Sequence, residues 1–561
     1  MTNWEALAKE KRDSVNALLP KPWLLPSPVP TVQEQRDVTG KYIQQFLSPQ
    51  EVEITETDAV GIVAKTTSGE WKSKDVAEAF CHRAALAHQM VSCLHEIFFD
   101  AAIADAEKLD EYFAEHKKPI GPLHGLPVSL KDQFHVKGVE THMGYVGWIG
   151  TFEGKKGTGK ERVFESEMVK ELRSLGAVLF CKTSVPHTLM AGETTNNIIG
   201  YTWNPKNRNL ACGGSSGGEG ALIALRGSPL GFGTDIGGSI RIPSLFNGLY
   251  GIRPSSGRLP YEGMANSMDG QNTILSVVGP IATSVASLQL AVKSILSTEP
   301  WLHDPLVAEI PWRDEQEQAV LDAVKAGQGG QLAFGIRRTD GIVQPLPPVR
   351  RAMDIVVKTI EKLGHKVVEW EPPAHERAIE LAFKTWIFDG GEDVHGAFAL
   401  SGEKVVPPIA SVYGDKPVKQ HTASEIAAVN VGKRAYQKEY MEYWNSTSSI
   451  TGTGRPVDAI VTPGAAFPAA RPNMYDYYAY TTWVNLLDYS ATTLPVTVVD
   501  KNIDVFDEDY TPMNAQDEKM HKSYDPEIFD GAFVGVQIVA RRFQEEKVLA
   551  LTKILSDGLA A

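Results

Sequence analysis

Two glycine-dense turns, "CGGSSGG" at residues 212–218 and "GFGTDIGGS" at 231–239, constrain this chain more than any other feature. Glycine permits close backbone approaches that a Cβ forbids, so such turns bring main-chain N–H groups up against whatever lies in front of them. Both turns carry hydroxyls: Ser215 and Ser216 in the first, Ser239 in the second. A serine attacks a carbonyl only when a base removes its proton and donors already face the oxyanion that forms. Taken alone, a Gly-Gly-Ser turn is just a tight turn rich in small residues, so its meaning depends on what surrounds it.

The surroundings alternate between helical and strand periodicity. "SKDVAEAFCHRAALAHQM" and "DAAIADAEKLDEYFAEH" read as amphipathic helices, and "GPLHGLPVSLKD" leads into a short apolar strand with Lys131 near its end. The helix "ESEMVKELRSLG" precedes the strand-like "AVLFCKT", and "GEGALIALRG" reads as a helix between the two glycine-dense turns. Later come "QLAFGI", a helix near 347–363 and "HKVVEW"; "DAIVTP", "LPVTVVD", "GAFVGVQIVA" and a final helix "FQEEKVLALTKIL" close the chain. This alternation predicts an α/β fold, a sheet with helices on both faces. Residues 1–60, a charged helix followed by the Pro-rich "PKPWLLPSPVP", read as a wrapping arm. Residues 61–561 read as one domain, with 305–450 as its variable, substrate-side region.

Composition narrows the partners. The 55 Lys and Arg against 69 Asp and Glu leave a net charge of −14 with no basic run, which disfavours a nucleic-acid partner. The opening "MTNWEALAKEKRDS" has no apolar core of a signal peptide, and no run of 18 apolar residues appears, so a cytoplasmic protein without a membrane partner is expected. The four cysteines, Cys81, Cys93, Cys181 and Cys212, are too scattered for a disulfide framework, and the 14 histidines form no H-E-x-x-H. No metal and no cofactor is expected.

Three glycine motifs imitate other sites. "GKKGTGKE" at 154–161 ends in Glu161 where a P-loop needs a hydroxyl, and it follows no strand, so it reads as a flexible surface insertion. "GFGTDIGG" places its third glycine one position late for a dinucleotide fingerprint. "GGSSG" at 213–217 satisfies G-x-S-x-G with Ser215 at its centre, but a polar Pro/Asn loop stands where a nucleophile elbow needs a strand.

What remains is "LPVSLKD", "GGSSGGEGALIA" and "GFGTDIGGSIRIP", in that order. Together they closely resemble the amidase signature family, strongly over about residues 75–300 and again in "DAIVTPGAAFP", "WVNLLDYSATTLPVTV" and "GVQIVARRFQEEKVL". The N-terminal arm and closing segments are most similar to acetamidase-type general amidases of fungi. The resemblance implies the amidase signature fold, a central mixed sheet flanked by helices, and a Ser-cisSer-Lys triad of Ser239, Ser215 and Lys131. It also implies an oxyanion hole from the backbone of Ile236, Gly237, Gly238 and Ser239. Ser215 and Ser239 lie 24 positions apart, as the family pattern has them. The expected activity is hydrolysis of a carboxamide, with short aliphatic amides first and aryl amides next, through an acyl-serine intermediate. The amidase subunit of a tRNA-dependent amidotransferase and a fatty-acid-amide-type hydrolase remain alternatives, and a homodimer stays open.

Each residue also has a plainer reading. Lys131 beside Asp132 could be a surface ion pair. Ser216 reads as the cap of the helix starting at Gly217. Asp235 and Arg241 read as braces of the turn, and Thr234 and Met190 as wall residues. A lysine acts as a base near neutrality only if burial lowers its pKa by several units.

Overall fold

The computed structural model describes residues 4–325 and 331–561. Thirteen strands are present among them: β1 (Leu94–Ile97), β2 (Pro127–Lys131), β3 (Val178–Thr183), β4 (Thr195–Asn196), β5 (Gly200–Tyr201), β6 (Leu230–Asp235), β7 (Tyr250–Arg253), β8 (Val277–Ala282), β9 (Ala333–Ile336), β10 (Lys366–Glu369), β11 (Ala459–Thr462), β12 (Ser490–Val498) and β13 (Phe533–Ala540). Eleven form one sheet in the order β1-β3-β2-β6-β8-β7-β12-β13-β11-β9-β10, while β4 and β5 make a separate ribbon. The sheet is mixed: β2 runs parallel to β3 and β6, whereas β8 is antiparallel to both β6 and β7. This is the central mixed sheet flanked by helices that the sequence reading expects.

Helices cover both faces, because side chains leave a strand alternately. Gln537 of β13 accepts a hydrogen bond from Arg241 in helix Arg241–Phe246. Its neighbour Ile538 has Thr492 as cross-strand partner, and Thr492 bonds to Thr552 of helix Glu545–Ala560 on the opposite face. Strands β3 and β11 are buried throughout and β13 nearly so, as a sheet covered on two faces requires.

Several segments differ from the sequence reading. The stretch 231–239 is not all turn: its first half is the central strand β6, and the turn begins after Asp235. Strands β1, β7 and β8 were not anticipated. "LHEI" carries two ionisable residues, and "VVGPIA" holds a Gly-Pro pair that reads as a turn, yet Pro280 lies opposite Phe232 in the sheet. The 305–450 region is not uniformly on the substrate side. Strands β9 and β10 and helix Pro347–Lys362 belong to the far part of the sheet, and helices from His375 onward approach the site.

The N-terminal arm wraps the domain. Helix Trp4–Asn16 docks through Arg12, which donates to the Ile198 carbonyl at 3.0 Å, and through Lys11, which reaches Glu96 of β1 at 2.5 Å. Further along, Val38 donates to the Pro205 carbonyl and Arg208 to that of Pro30, both at 2.9 Å. Among the described residues, no helix is long and apolar enough to cross a membrane.

Candidate active site

Strand β2 ends on Lys131, whose side chain is wholly buried. Its Nζ lies 2.7 Å from Ser215 Oγ and 2.7 Å from Thr234 Oγ1. The chain turns sharply after Lys131 and brings Gln133 back beside it, with the Gln133 N–H donating to the Lys131 carbonyl at 2.6 Å. The amide nitrogen of Gln133 donates to the carbonyl of Ala265 at 2.7 Å, so its Oε1 is left to face Thr234. Thr234 gives its hydroxyl proton to that Oε1 at 2.7 Å. Thr234 can therefore only accept from Lys131, and the lone pair of a neutral amine is left directed at the Ser215 hydroxyl.

Among the described residues, no carboxylate touches Lys131. Burial among apolar residues brings its amine from 10.5 down to about 7, against a smaller upward pull from Asp235 and Glu219. Asp132 points elsewhere, toward Lys182 at 2.6 Å, and both residues are fully buried, so the surface ion pair is corrected. Thr234 is corrected from wall residue to hydrogen-bond partner of Lys131.

The two serine turns are joined. The Gly214–Ser215 peptide is cis, and the Ser216 N–H donates to the Ser239 carbonyl at 3.2 Å. Ser216 occupies the N-cap of helix Gly217–Ala224, but its hydroxyl accepts from the Thr234 N–H at 3.3 Å rather than capping the helix. The expected cap is thus corrected: Ser216 stitches the helix start to β6.

Asp235 and Arg241 brace the second turn. The Asp235 carboxylate accepts from the Gly238 N–H at 2.8 Å, the Ile240 N–H at 3.2 Å, Arg241 Nε at 3.1 Å and Asn485 Nδ2 at 2.7 Å. With Arg241 alongside, the carboxyl stays well below the usual range despite burial. Gly238 has φ of +126°, and a Cβ there would lie 2.5 Å from Thr481 Oγ1, so only glycine fits. Its N–H is committed to Asp235, which corrects its place among the oxyanion donors. Among the described residues, the N–H groups of Ile236, Gly237 and Ser239 carry no hydrogen bond to the protein.

These groups edge a narrow apolar pocket walled by Leu189, Met190, Phe383, Trp386, Val412 and Tyr478. Met190 is a wall residue, as expected. Among the described residues, the buried indole N–H of Trp386 has no hydrogen-bond partner. The pocket shares Met190, Ile236 and Trp386 with a wider outer cleft lined by polar and apolar groups. Glu153 and Lys160 of the charged insertion stand on its rim.

Two buried donor sets have spacings that could hold a metal, His95–Asp132–His142 and Glu96–Glu140–His142. Their carboxylates already face ammonium groups: Lys182 on Asp132 at 2.6 Å, and Lys11 on Glu96 at 2.5 Å and Glu140 at 3.0 Å. These lysines supply the positive charge that a cation would.

Sequence reasoning missed Gln133, Trp386 and the carboxyl of Glu219. None sits in a recognisable pattern, although Glu219 lies inside the quoted "GGSSGGEGALIA".

A mixed α/β sheet holding a buried lysine against paired serine turns defines the class, and comparison with known proteins gives the family. A family model described as Amidase matches residues 75–549, so the chain belongs to the amidase family. It is a hydrolase acting on amide C–N bonds. The chain is 46% identical over 557 residues to a protein of Aspergillus oryzae named acetamidase, covering 99% of each. It is 43% identical to an acetamidase of Emericella nidulans, covering 98% of this chain and 97% of that one. Among solved structures it is similar to one titled fatty acid amide hydrolase, with a TM-score of 0.91 and 32% identity, covering 99% of this chain and 95% of that chain.

Proposed function

We propose that Ser239 is the nucleophile, Ser215 the proton relay and Lys131 the base in hydrolysis of a short aliphatic amide such as acetamide. The observation that carries this reading is the 2.7 Å contact between Lys131 and Ser215, made by a buried lysine with no carboxylate at contact distance. Ser239 Oγ bonds to the carbonyl carbon while its proton passes to Ser215 Oγ and the Ser215 proton passes to Lys131 Nζ. The carbonyl π pair moves onto oxygen, which the N–H groups of Ile236, Gly237 and Ser239 face. The C–N bond then breaks; the leaving nitrogen takes a proton from Ser215, and Lys131 returns one to Ser215. Water repeats the sequence on the acyl-serine and releases the carboxylate.

The narrow apolar cavity beside Ser239 supports a small acyl group, and the two relatives named acetamidase support the same choice. A long acyl chain is the second reading, favoured by the likeness to the structure titled fatty acid amide hydrolase. The cytoplasm is the proposed compartment, in keeping with four buried free thiols.

The test is mass spectrometry of the protein after a fluorophosphonate, with the adduct mapped, beside ammonia release from amides of graded chain length. The adduct is expected on Ser239, with rates falling as the acyl chain grows. An adduct on Ser215 overturns the triad order, and rates that rise with chain length overturn the short-amide choice.

A further inference from the structure

Behind Lys131 lies a carboxyl that the reaction as written does not use. Glu219, in helix Gly217–Ala224, is wholly buried. Its Oε2 accepts from Ser129 Oγ at 2.6 Å and its Oε1 from Thr183 Oγ1 at 2.9 Å. Ser129 precedes Lys131 by two residues on β2, so the two side chains leave the same face, and Thr183 of β3 is the cross-strand partner of Lys131. The room for this carboxyl is built into the central strand. A Cβ at Gly231 of β6 would lie 1.8 Å from Glu219 Oε2, so any other residue there would displace it.

Among the described residues, no lysine, arginine or histidine lies within ion-pair distance of Glu219. The titratable groups around it are Lys131 on β2, Cys181 on β3 and Cys93 ahead of β1, while Asp235 at the end of β6 acts on Lys131 from the other side. Asp235 is matched by Arg241, and burial pushes both thiols up, so they stay neutral. Lys131 is the remaining group of opposite charge. Burial pushes the Glu219 carboxyl up to about 7, and Lys131 pulls it back. Elsewhere in the same sheet a carboxylate sits directly on a lysine, Asp132 on Lys182; here the carboxyl is bonded to the hydroxyls of Ser129 and Thr183, and the amine to those of Ser215 and Thr234.

We propose that Glu219 is a positioning residue for proton transfer, the counter-charge of the Lys131 ammonium formed when Ser239 is deprotonated, held by hydroxyl partners of its own and out of contact with the amine, so that the amine is regenerated. This rests on the reading of Lys131 as base. Glu219 and Lys131 ionise over the same pH range, and on its alkaline side the charge of Glu219 sets how readily Lys131 holds a proton. Removing that charge lowers the pKa of Lys131, so the limb on which activity rises with pH moves downward, while the weaker base slows turnover above it.

The experiment measures kcat/KM and the rate of fluorophosphonate labelling against pH for the wild type, Glu219→Gln, Glu219→Asp and Lys131→Met. In Glu219→Gln the rising limb is expected about one pH unit lower, with kcat at pH 8 reduced on the order of 10-fold and KM unchanged. Glu219→Asp keeps the charge and keeps the limb near the wild-type position. Ser129→Ala, which loosens the carboxylate without removing it, shifts the limb the same way by less, and serves if Glu219→Gln does not fold. A limb that stays in place in the folded variants, with activity lowered uniformly, assigns Glu219 a structural role and overturns the proposal. That result leaves the base assignment standing so long as Lys131→Met labels slowly; labelling at the wild-type rate in Lys131→Met overturns the base assignment itself.

Discussion

Lys131 and Lys182 occupy neighbouring parallel strands, one residue out of step, and both are fully buried. Their environments are opposite in kind. Lys182 donates to a carboxylate, Asp132 Oδ1 at 2.6 Å, to the Glu140 carbonyl at 2.7 Å and to Thr141 Oγ1 at 2.7 Å, so three acceptors take up the three protons of an ammonium. Lys131 meets only two hydroxyls, one of which has its own proton committed to Gln133. Burial lowers both amines, but at Lys182 the Asp132 carboxylate opposes it at contact distance, whereas Lys131 has no such partner and falls to about 7. The first-contact partner, and not burial alone, decides between anchoring and chemistry.

The anchored side extends into a network. His142 lies between Asp132, Glu96 and Glu140, which together push its imidazole up to about 10 despite burial, so it stays charged at neutral pH. Lys11 of the N-terminal arm reaches into the same network. The arm is thereby tied to the strand end that carries Lys131.

The largest expected effect comes from turning Lys131 into a residue that needs no partner. Lys131→Met should lower kcat/KM by about 1,000-fold or more, yet raise stability. The folded amine titrates near 7 against 10.5 in the unfolded chain, so its cost is fully present below pH 7 and is relieved as pH rises from 7 toward 10.5. Below pH 7 that cost is on the order of 4–5 kcal/mol. Two lost hydrogen bonds offset about 1 kcal/mol each, leaving a net gain of about 2–3 kcal/mol. Urea unfolding at pH 6 and pH 9.5 should show the advantage shrinking at the higher pH; a destabilised Lys131→Met at pH 6 would erase the contrast between the two lysines.

The matching change on the other side has the opposite sign. Lys182→Met strands the Asp132 carboxylate and should cost about 3–5 kcal/mol of stability, with fluorophosphonate labelling retained in whatever fraction folds. A stable Lys182→Met that no longer labels would assign Lys182 to the chemistry. Smaller still, Thr234→Val removes the acceptor of Lys131 and leaves Gln133 Oε1 unpaired, at about 1–3 kcal/mol. It should move the rising limb of the pH profile to higher or lower pH without changing which serine is labelled; an unmoved limb would return Thr234 to the role of a wall residue.

Local patterns carried much of this. The apolar run ending at Lys131, the glycine-dense turns around Ser215 and Ser239, and the strand-helix alternation are properties of contiguous residues, and they are where the sequence reading and the structure agree. What stayed hidden depends on contacts between distant segments. Gln133 matters because a turn folds it back on Thr234, 101 positions away, and Lys11 because its helix docks on Glu140, 129 positions away. The commitment of the Gly238 N–H to Asp235 is local, yet it requires the turn's geometry and not its composition. Strand β8 escaped notice because its Gly-Pro pair overrides the apolar signal on either side.

The most direct test of the contrast is nuclear magnetic resonance of the protein labelled with carbon-13 at lysine Cε, recorded across pH, with Lys131→Met identifying the resonance of Lys131. The account predicts that this resonance titrates near pH 7. A Lys131 signal that holds the ammonium position past pH 9 would contradict it.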